Sequence, residues 1–329
     1  MKPNLLLTGA WNWAASSPLI YTLQRNAKYA HFGYTKSFRY LKRYFLPEKK
    51  YTNNNDFYLN SRGIDEEVLA IYNRVANGTW ENFESYKPGA HNMNLTQDLE
   101  PLKDFPLQHY TNLISGLPTI SKYMDFYHAL HDHVVQKGYK SVGDGYSSVT
   151  LKQSPYLDRF YKTLTEEFAV KQILIARDPV RRAFGSYAAK LAKPQDRLKN
   201  ITDNFKYVNY IPRIKEAIRV LGSDNVHVTV MEELWEDDGT SKQQLSDFLD
   251  HPIPKLWKNL YAPDRGHLVQ YDPDVPCQAF GQDLEELTED MYYSYKEKFQ
   301  YIYDAWEDYF GSLPLYWGRH IDYNTGRPL

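Results

Sequence analysis

Along the chain, short apolar runs alternate with stretches whose apolar positions recur every three or four residues. Leu5–Thr8, Ala30–Gly33, Ser141–Gly143, Gln172–Ala176 and Val226–Val230 are short and bounded by helical patterns or turns, as parallel strands covered on both faces are. The clearest helical pattern lies near the C-terminus. There Leu284, Leu287, Met291, Tyr295, Phe299, Ile302, Trp306 and Phe310 mark one face of a long amphipathic helix, with Gly311 placed to stop it. Asp203–Leu221 reads as another helix, which Pro212 must break or kink near its middle. Strands alternating with helices predict an α/β fold with a mainly parallel central sheet flanked by helices. No internal repeat, low-complexity tract or Gly/Ser linker interrupts it, so residues 1–329 read as a single domain. Only Tyr44 to Leu107 breaks the pattern, being polar and Asn-rich, with Lys49-Lys50 and Asn53-Asn54-Asn55. It reads as an insertion over the sheet, either a binding lid or a plain surface excursion.

Composition narrows the classes of partner. With 329 residues and 42% hydrophobic content the chain can bury a large core. A formal net charge of -2 excludes a global basic field that would attract nucleic acid or an anionic membrane. Any anion must therefore be bound by a local site. The single cysteine, Cys277, rules out an intrachain disulfide and a cysteine-based zinc cluster. It suits a reducing compartment, so a cytoplasmic location is expected. The apolar run Leu5-Leu6-Leu7 ends at Thr8-Gly9, short of a signal-peptide core. No run of about 18 apolar residues is present, so no membrane-spanning helix is expected.

The candidate chemistry gathers in Lys171–Leu191. Ile173, Leu174 and Ile175 form a strand core, Asp178 suits a helix N-cap, and Pro179 suits the first helical position. Strand end, turn and helix N-terminus would present backbone N–H groups and a positive dipole end toward one point. Arg177 adds a planar fork of donors there, and Arg181 or Arg182 a second positive charge. This arrangement is expected to hold a phosphate group. His128, His131 and His133, with Asp132, do not keep one helical face, so no metal is expected. Trp11 and Trp13 suit either a core beside the first strand or a stacking surface.

Arg177-Asp-Pro-x-x-Arg182-Ala-x-x-x-Tyr187 after a buried strand resembles the 3′-phosphate-binding segment of sulfotransferases that use 3′-phosphoadenosine 5′-phosphosulfate (PAPS). The nearest resemblance is to the branch that sulfates carbohydrates, including heparan sulfate, and its bacterial relatives. Val226–Val230 followed by Glu232-Glu233-Leu234, and the long aromatic-rich final helix, fall in the family's order. The resemblance implies a P-loop-NTPase-like sulfotransferase fold, PAPS as cofactor with PAP as product, and no metal. It implies transfer to a hydroxyl or amine of a glycan or small-molecule acceptor, chosen by the Tyr44–Leu107 region. It assigns Arg177, Ser186 and Arg182 to the 3′-phosphate, and Ala15, Ser16 and Ser17 to the 5′-phosphosulfate. Lys36 would supply charge at the transferring group, and Arg265 lies in a segment resembling the family's late basic loop.

Three departures follow. Gly185 stands where the family has serine, with Ser186 beside it. Asn12 or Trp13 replaces the lysine of the first loop, which also excludes the phosphate loop of nucleotide triphosphatases. Ser37 and Arg39 occupy the family's carboxylate and histidine positions, leaving His31 and Asp144 as candidate general bases. His31 also reads as a core histidine, and Asp144 as a turn former. Two classes stay open: an active sulfotransferase, or an altered scaffold that binds nucleotide or glycan without transfer.

Overall fold

The computed structural model describes residues 2–10, 19, 23, 27–31, 100–114, 120–147, 154–188, 209–236, 240–253, 260–262, 267–270 and 288–320. Among these, five strands form one parallel sheet in the order β2-β3-β1-β4-β5. They are β1 (Asn4–Ala10), β2 (Tyr29–His31), β3 (Ser141–Ser147), β4 (Ala169–Ala176) and β5 (Val226–Val230). Helices α1 (Leu107–Ile114), α2 (Ile120–Gln136), α3 (Ser154–Glu167), α4 (Pro179–Ala188) and α5 (Ile211–Leu221) alternate with the strands. After β5 come α6 (Met231–Glu236), α7 (Ser241–Leu249), an antiparallel pair β6 (Leu260–Ala262) and β7 (His267–Gln270), and α8 (Glu289–Phe310). The expected α/β fold with a parallel sheet flanked by helices is what forms. None of the described helices is long and apolar enough to cross a membrane.

The chain divides into two compact units. The first comprises Met1–Gly9, Ile20–Ile173 and Glu216–Val226. In β1, Leu5, Leu6 and Leu7 are all buried, which a strand achieves only when both its faces are covered. Helix α2 packs on α1 and β3 through Tyr123, Phe126, Tyr127, Leu130 and Val134, a buried stripe at helical spacing. Phe105 meets Tyr110 and Phe126 edge-on at 5.4 and 5.6 Å. Gln172, buried in β4, donates from Nε2 to the Leu7 carbonyl and accepts from the Tyr161 hydroxyl, each at 3.1 Å. Its amide is thus satisfied without water. β2 and β3 pair in parallel with His31 opposite Gly143. Of the Tyr44–Leu107 stretch, residues 100–107 are described; the rest lies outside the described residues.

The second unit comprises Ala10–Leu19, Leu174–Lys215 and His227–Leu329. Helix α8 packs on α4. It starts at Glu289, where the Thr288 hydroxyl accepts from the Met291 N–H at 3.3 Å; Leu284 and Leu287 lie outside the described residues. It stops at Gly311, whose φ of 83° suits the residue without a Cβ. The buried face is Tyr292, Tyr295, Phe299, Ile302, Tyr303 and Trp306. Phe310, expected on that face, is 43% exposed: it is the last residue of the helix, with its ring 4.5 Å from Trp306. The break expected near Pro212 falls just before it, and residues 203–208 lie outside the described residues. Helix α5 begins at Ile211, so the proline sits in the first turn, where its missing N–H breaks no ladder bond and kinks nothing.

Candidate functional site

The site is built on the chain reversal between β4 and α4. Ile173, Leu174, Ile175 and Ala176 are buried in succession, so β4 delivers Arg177 and Asp178 from inside the core. Pro179 opens α4, and the Asp178 carboxylate caps it by accepting the Arg181 N–H at 3.0 Å. The expected N-cap is therefore present, but its carboxylate does far more than cap. Asp178 is fully buried, and its second oxygen accepts from the Tyr292 and Tyr303 hydroxyls at 2.9 Å and from the Gly318 N–H at 3.2 Å.

Glu232, in the first turn of α6, is the second buried carboxylate. One oxygen accepts the Asp178 N–H at 2.9 Å and lies 3.9 Å from Arg177 Nε and 3.8 Å from Arg181 Nη1. The other accepts the Trp317 indole N–H at 3.2 Å. Burial pushes its carboxyl above the usual range, while the charges of Arg181 and Arg177 oppose that rise. Next to it, Glu233 accepts from the Leu315 N–H at 3.1 Å and the Ser241 hydroxyl at 2.5 Å.

These bonds correct the expected amide cradle. The Asp178 and Arg181 N–H groups both face protein carboxylates, the Arg182 N–H bonds the Asp178 carbonyl, and Pro179 has none, so most amides of the turn are already committed. Arg181 is not a spare charge either. Its Nη2 donates to the Tyr316 and Arg319 carbonyls at 3.0 and 2.8 Å. Among the expected residues Arg177 remains at the strand end, with 12% of its side chain exposed. The Tyr210 hydroxyl donates to its carbonyl at 2.5 Å. Arg182 is fully buried, its guanidinium 5.9 Å from the centre of the Tyr210 ring. Burial lowers its pKa, and Tyr210 counteracts the effect.

Ser186 and Gly185 lie in the last turn of α4. His31 ends β2 and Asp144 lies within β3; the pairing of His31 with Gly143 makes them neighbours in register. Ala15, Ser16, Ser17, Lys36 and Arg265 lie outside the described residues, as do Trp11 and Trp13. The three histidines of α2 go to separate partners: Glu167 for His128, Asp132 for His131 and the Lys103 carbonyl for His133. Among the described residues no group of three or more candidate metal ligands occurs. Sequence reasoning missed Tyr210, Tyr292, Tyr303 and the Leu315–Arg319 segment as parts of the site. The adjacent carboxylates Glu232 and Glu233 at the end of an apolar strand were the one readable signal.

No family model and no curated protein sequence matches the chain. Among solved structures, a sulfotransferase from Alicyclobacillus acidocaldarius superposes with a TM-score of 0.47 at 16% identity, covering 95% of this chain and 98% of that one. The sulfotransferase domain of the Synechococcus PCC 7002 olefin synthase gives a TM-score of 0.47 at 15% identity, covering 95% and 97%. The sulfotransferase domain from the curacin biosynthetic pathway gives 0.43 at 15% identity, covering 77% and 76%.

Proposed function

We propose that this chain is a sulfotransferase that moves a sulfuryl group from PAPS to a hydroxyl or amine, with carbohydrates the first acceptor class to test. The observation that carries this reading is Arg177. It stands at the end of a buried parallel strand, its guanidinium beside a fixed carboxylate and its backbone anchored by Tyr210. A fork of donors set in place this way fits a phosphate better than a mobile surface arginine would.

In this reading Arg177 and Ser186 hold the 3′-phosphate, and Arg182 adds positive potential from within the core. Ala15, Ser16 and Ser17 hold the 5′-phosphosulfate, Arg265 closes over the 3′-phosphate, and Lys36 balances charge at the transferring group. The acceptor oxygen or nitrogen bonds to sulfur as the bond from sulfur to the 5′-phosphate oxygen breaks, and the electron pair leaves with PAP. His31 or Asp144 takes the acceptor proton. The chain acts as one domain, with Tyr44–Leu107 choosing the acceptor.

Calorimetry with PAP, then a transfer assay with PAPS and a glycan panel, tests the proposal. PAP binding weakened about a hundredfold by Arg177→Ala is expected, together with sulfated product on at least one acceptor. PAP binding without product on any acceptor moves the chain to the altered-scaffold class. Absence of PAP binding, or binding indifferent to Arg177→Ala, overturns the reading.

A further inference from the structure

We propose that Glu232 is a positioning residue for Arg177: a carboxylate fixed from two sides, which sets the plane of the guanidinium before any anion arrives. The inference rests on the reading of Arg177 as a phosphate contact, and adds what aims it.

The geometry supports a directional role. One oxygen of Glu232 is tied to the Asp178 N–H at 2.9 Å and the other to the Trp317 indole at 3.2 Å. These two donors come from the turn itself and from the C-terminal segment, so the carboxylate cannot rotate without losing one of them. The same oxygen that binds Asp178 lies 3.9 Å from Arg177 Nε. This is the stem-side nitrogen of the guanidinium, so the carboxylate acts on the fork from behind through its charge, at a separation too long for a hydrogen bond. Trp317 is itself wedged, its ring 4.4 Å from Trp306 and 5.6 Å from Tyr210, and Tyr210 in turn holds the Arg177 carbonyl. The backbone of Arg177 is therefore anchored to the same buried assembly that holds the carboxylate beside its side chain. A wholly buried carboxylate is costly unless its oxygens are satisfied, and here four groups approach it. Fixing a donor fork in advance lowers the ordering cost of binding an anion, which is how supporting residues around a binding site raise affinity.

The test is a double-mutant cycle read by calorimetry with PAP on the full chain, with far-ultraviolet circular dichroism to verify folding. Glu232→Gln is expected to weaken PAP about tenfold in the wild-type background. Lysine has no Nε fork to aim, so in an Arg177→Lys background the same change should cost less than about twofold. Trp317→Phe, which removes the indole N–H together with part of the ring, is expected to act in the same direction by about threefold, again only with Arg177 present. If Glu232→Gln does not fold, the Trp317→Phe cycle decides. Wild-type chain that binds PAP, with Glu232→Gln neutral or equally harmful in both backgrounds, overturns the positioning role and leaves the phosphate reading intact. Wild-type chain that fails to bind PAP overturns the phosphate reading and this inference with it.

Discussion

Two buried regions of the molecule are held together by opposite means. In the first unit, the inner face of α2 is a stripe of Tyr123, Phe126, Tyr127, Leu130 and Val134. Non-directional contacts keep it in place, and each side chain tolerates neighbours that shift slightly. In the second unit, Asp178 accepts from four donors, and Glu232 and Glu233 are bonded by Trp317, Leu315 and Ser241. Each of those bonds has a required direction and a partner left exposed to cost if it is lost. An apolar layer can supply stability with adaptable shape. A charged core is a poor source of stability but a good source of fixed geometry, and here it lies beside Arg177, a proposed phosphate contact.

The sharpest way to break the comparison is Asp178→Ala. It strands the Tyr292 and Tyr303 hydroxyls, the Gly318 N–H and the helix cap together, and should cost about 4 kcal/mol in urea denaturation. A loss under about 1 kcal/mol would mean that the bonds of the network are dispensable and that it contributes less to stability than the apolar layer. In that layer, Leu130→Ala should cost about 3 kcal/mol, but Leu130→Met under about 1.5 kcal/mol because volume is kept. Equal losses for both would show that the layer is as exacting as the charged core.

A third contrast is pH. Burial lowers the His227 pKa to about 4 from the usual 6.5, and its ring stacks on Phe248 at 5.3 Å. Between those values the unfolded chain binds the proton and the folded chain does not. Stability is therefore full above the unfolded value and falls as pH drops from about 6.5 toward 4, by roughly 1–3 kcal/mol. Denaturation midpoints at pH 7 and pH 5 should differ in the wild type by more than in His227→Phe; equal differences would refute the assignment. The smallest effect is expected at Gly311→Ala. A Cβ there meets nothing within 4 Å, so only the φ of 83° opposes it, at about 1 kcal/mol in thermal unfolding.

The strands and caps were legible because their causes are local. The run Ile173–Ala176, the Asp178-Pro179 start of α4 and the Gly311 stop each need only neighbouring residues. The break at Pro212 was legible because a proline fits only the first turn of a helix. The antiparallel β6–β7 pair was not anticipated, since its short strands carry little periodicity.

By itself, then, the sequence determined the α/β alternation, the buried strand that ends at Arg177, and the capped helix that follows. Local hydrophobic period and turn chemistry suffice for those. Tertiary structure alone decided what the turn is bonded to. The partners of Asp178 are Tyr292, Tyr303 and Gly318, which lie 114, 125 and 140 residues away. No spacing rule links residues so far apart. The same folding decided that the amides of the turn serve protein carboxylates, because a buried donor takes the acceptor that packing brings within reach.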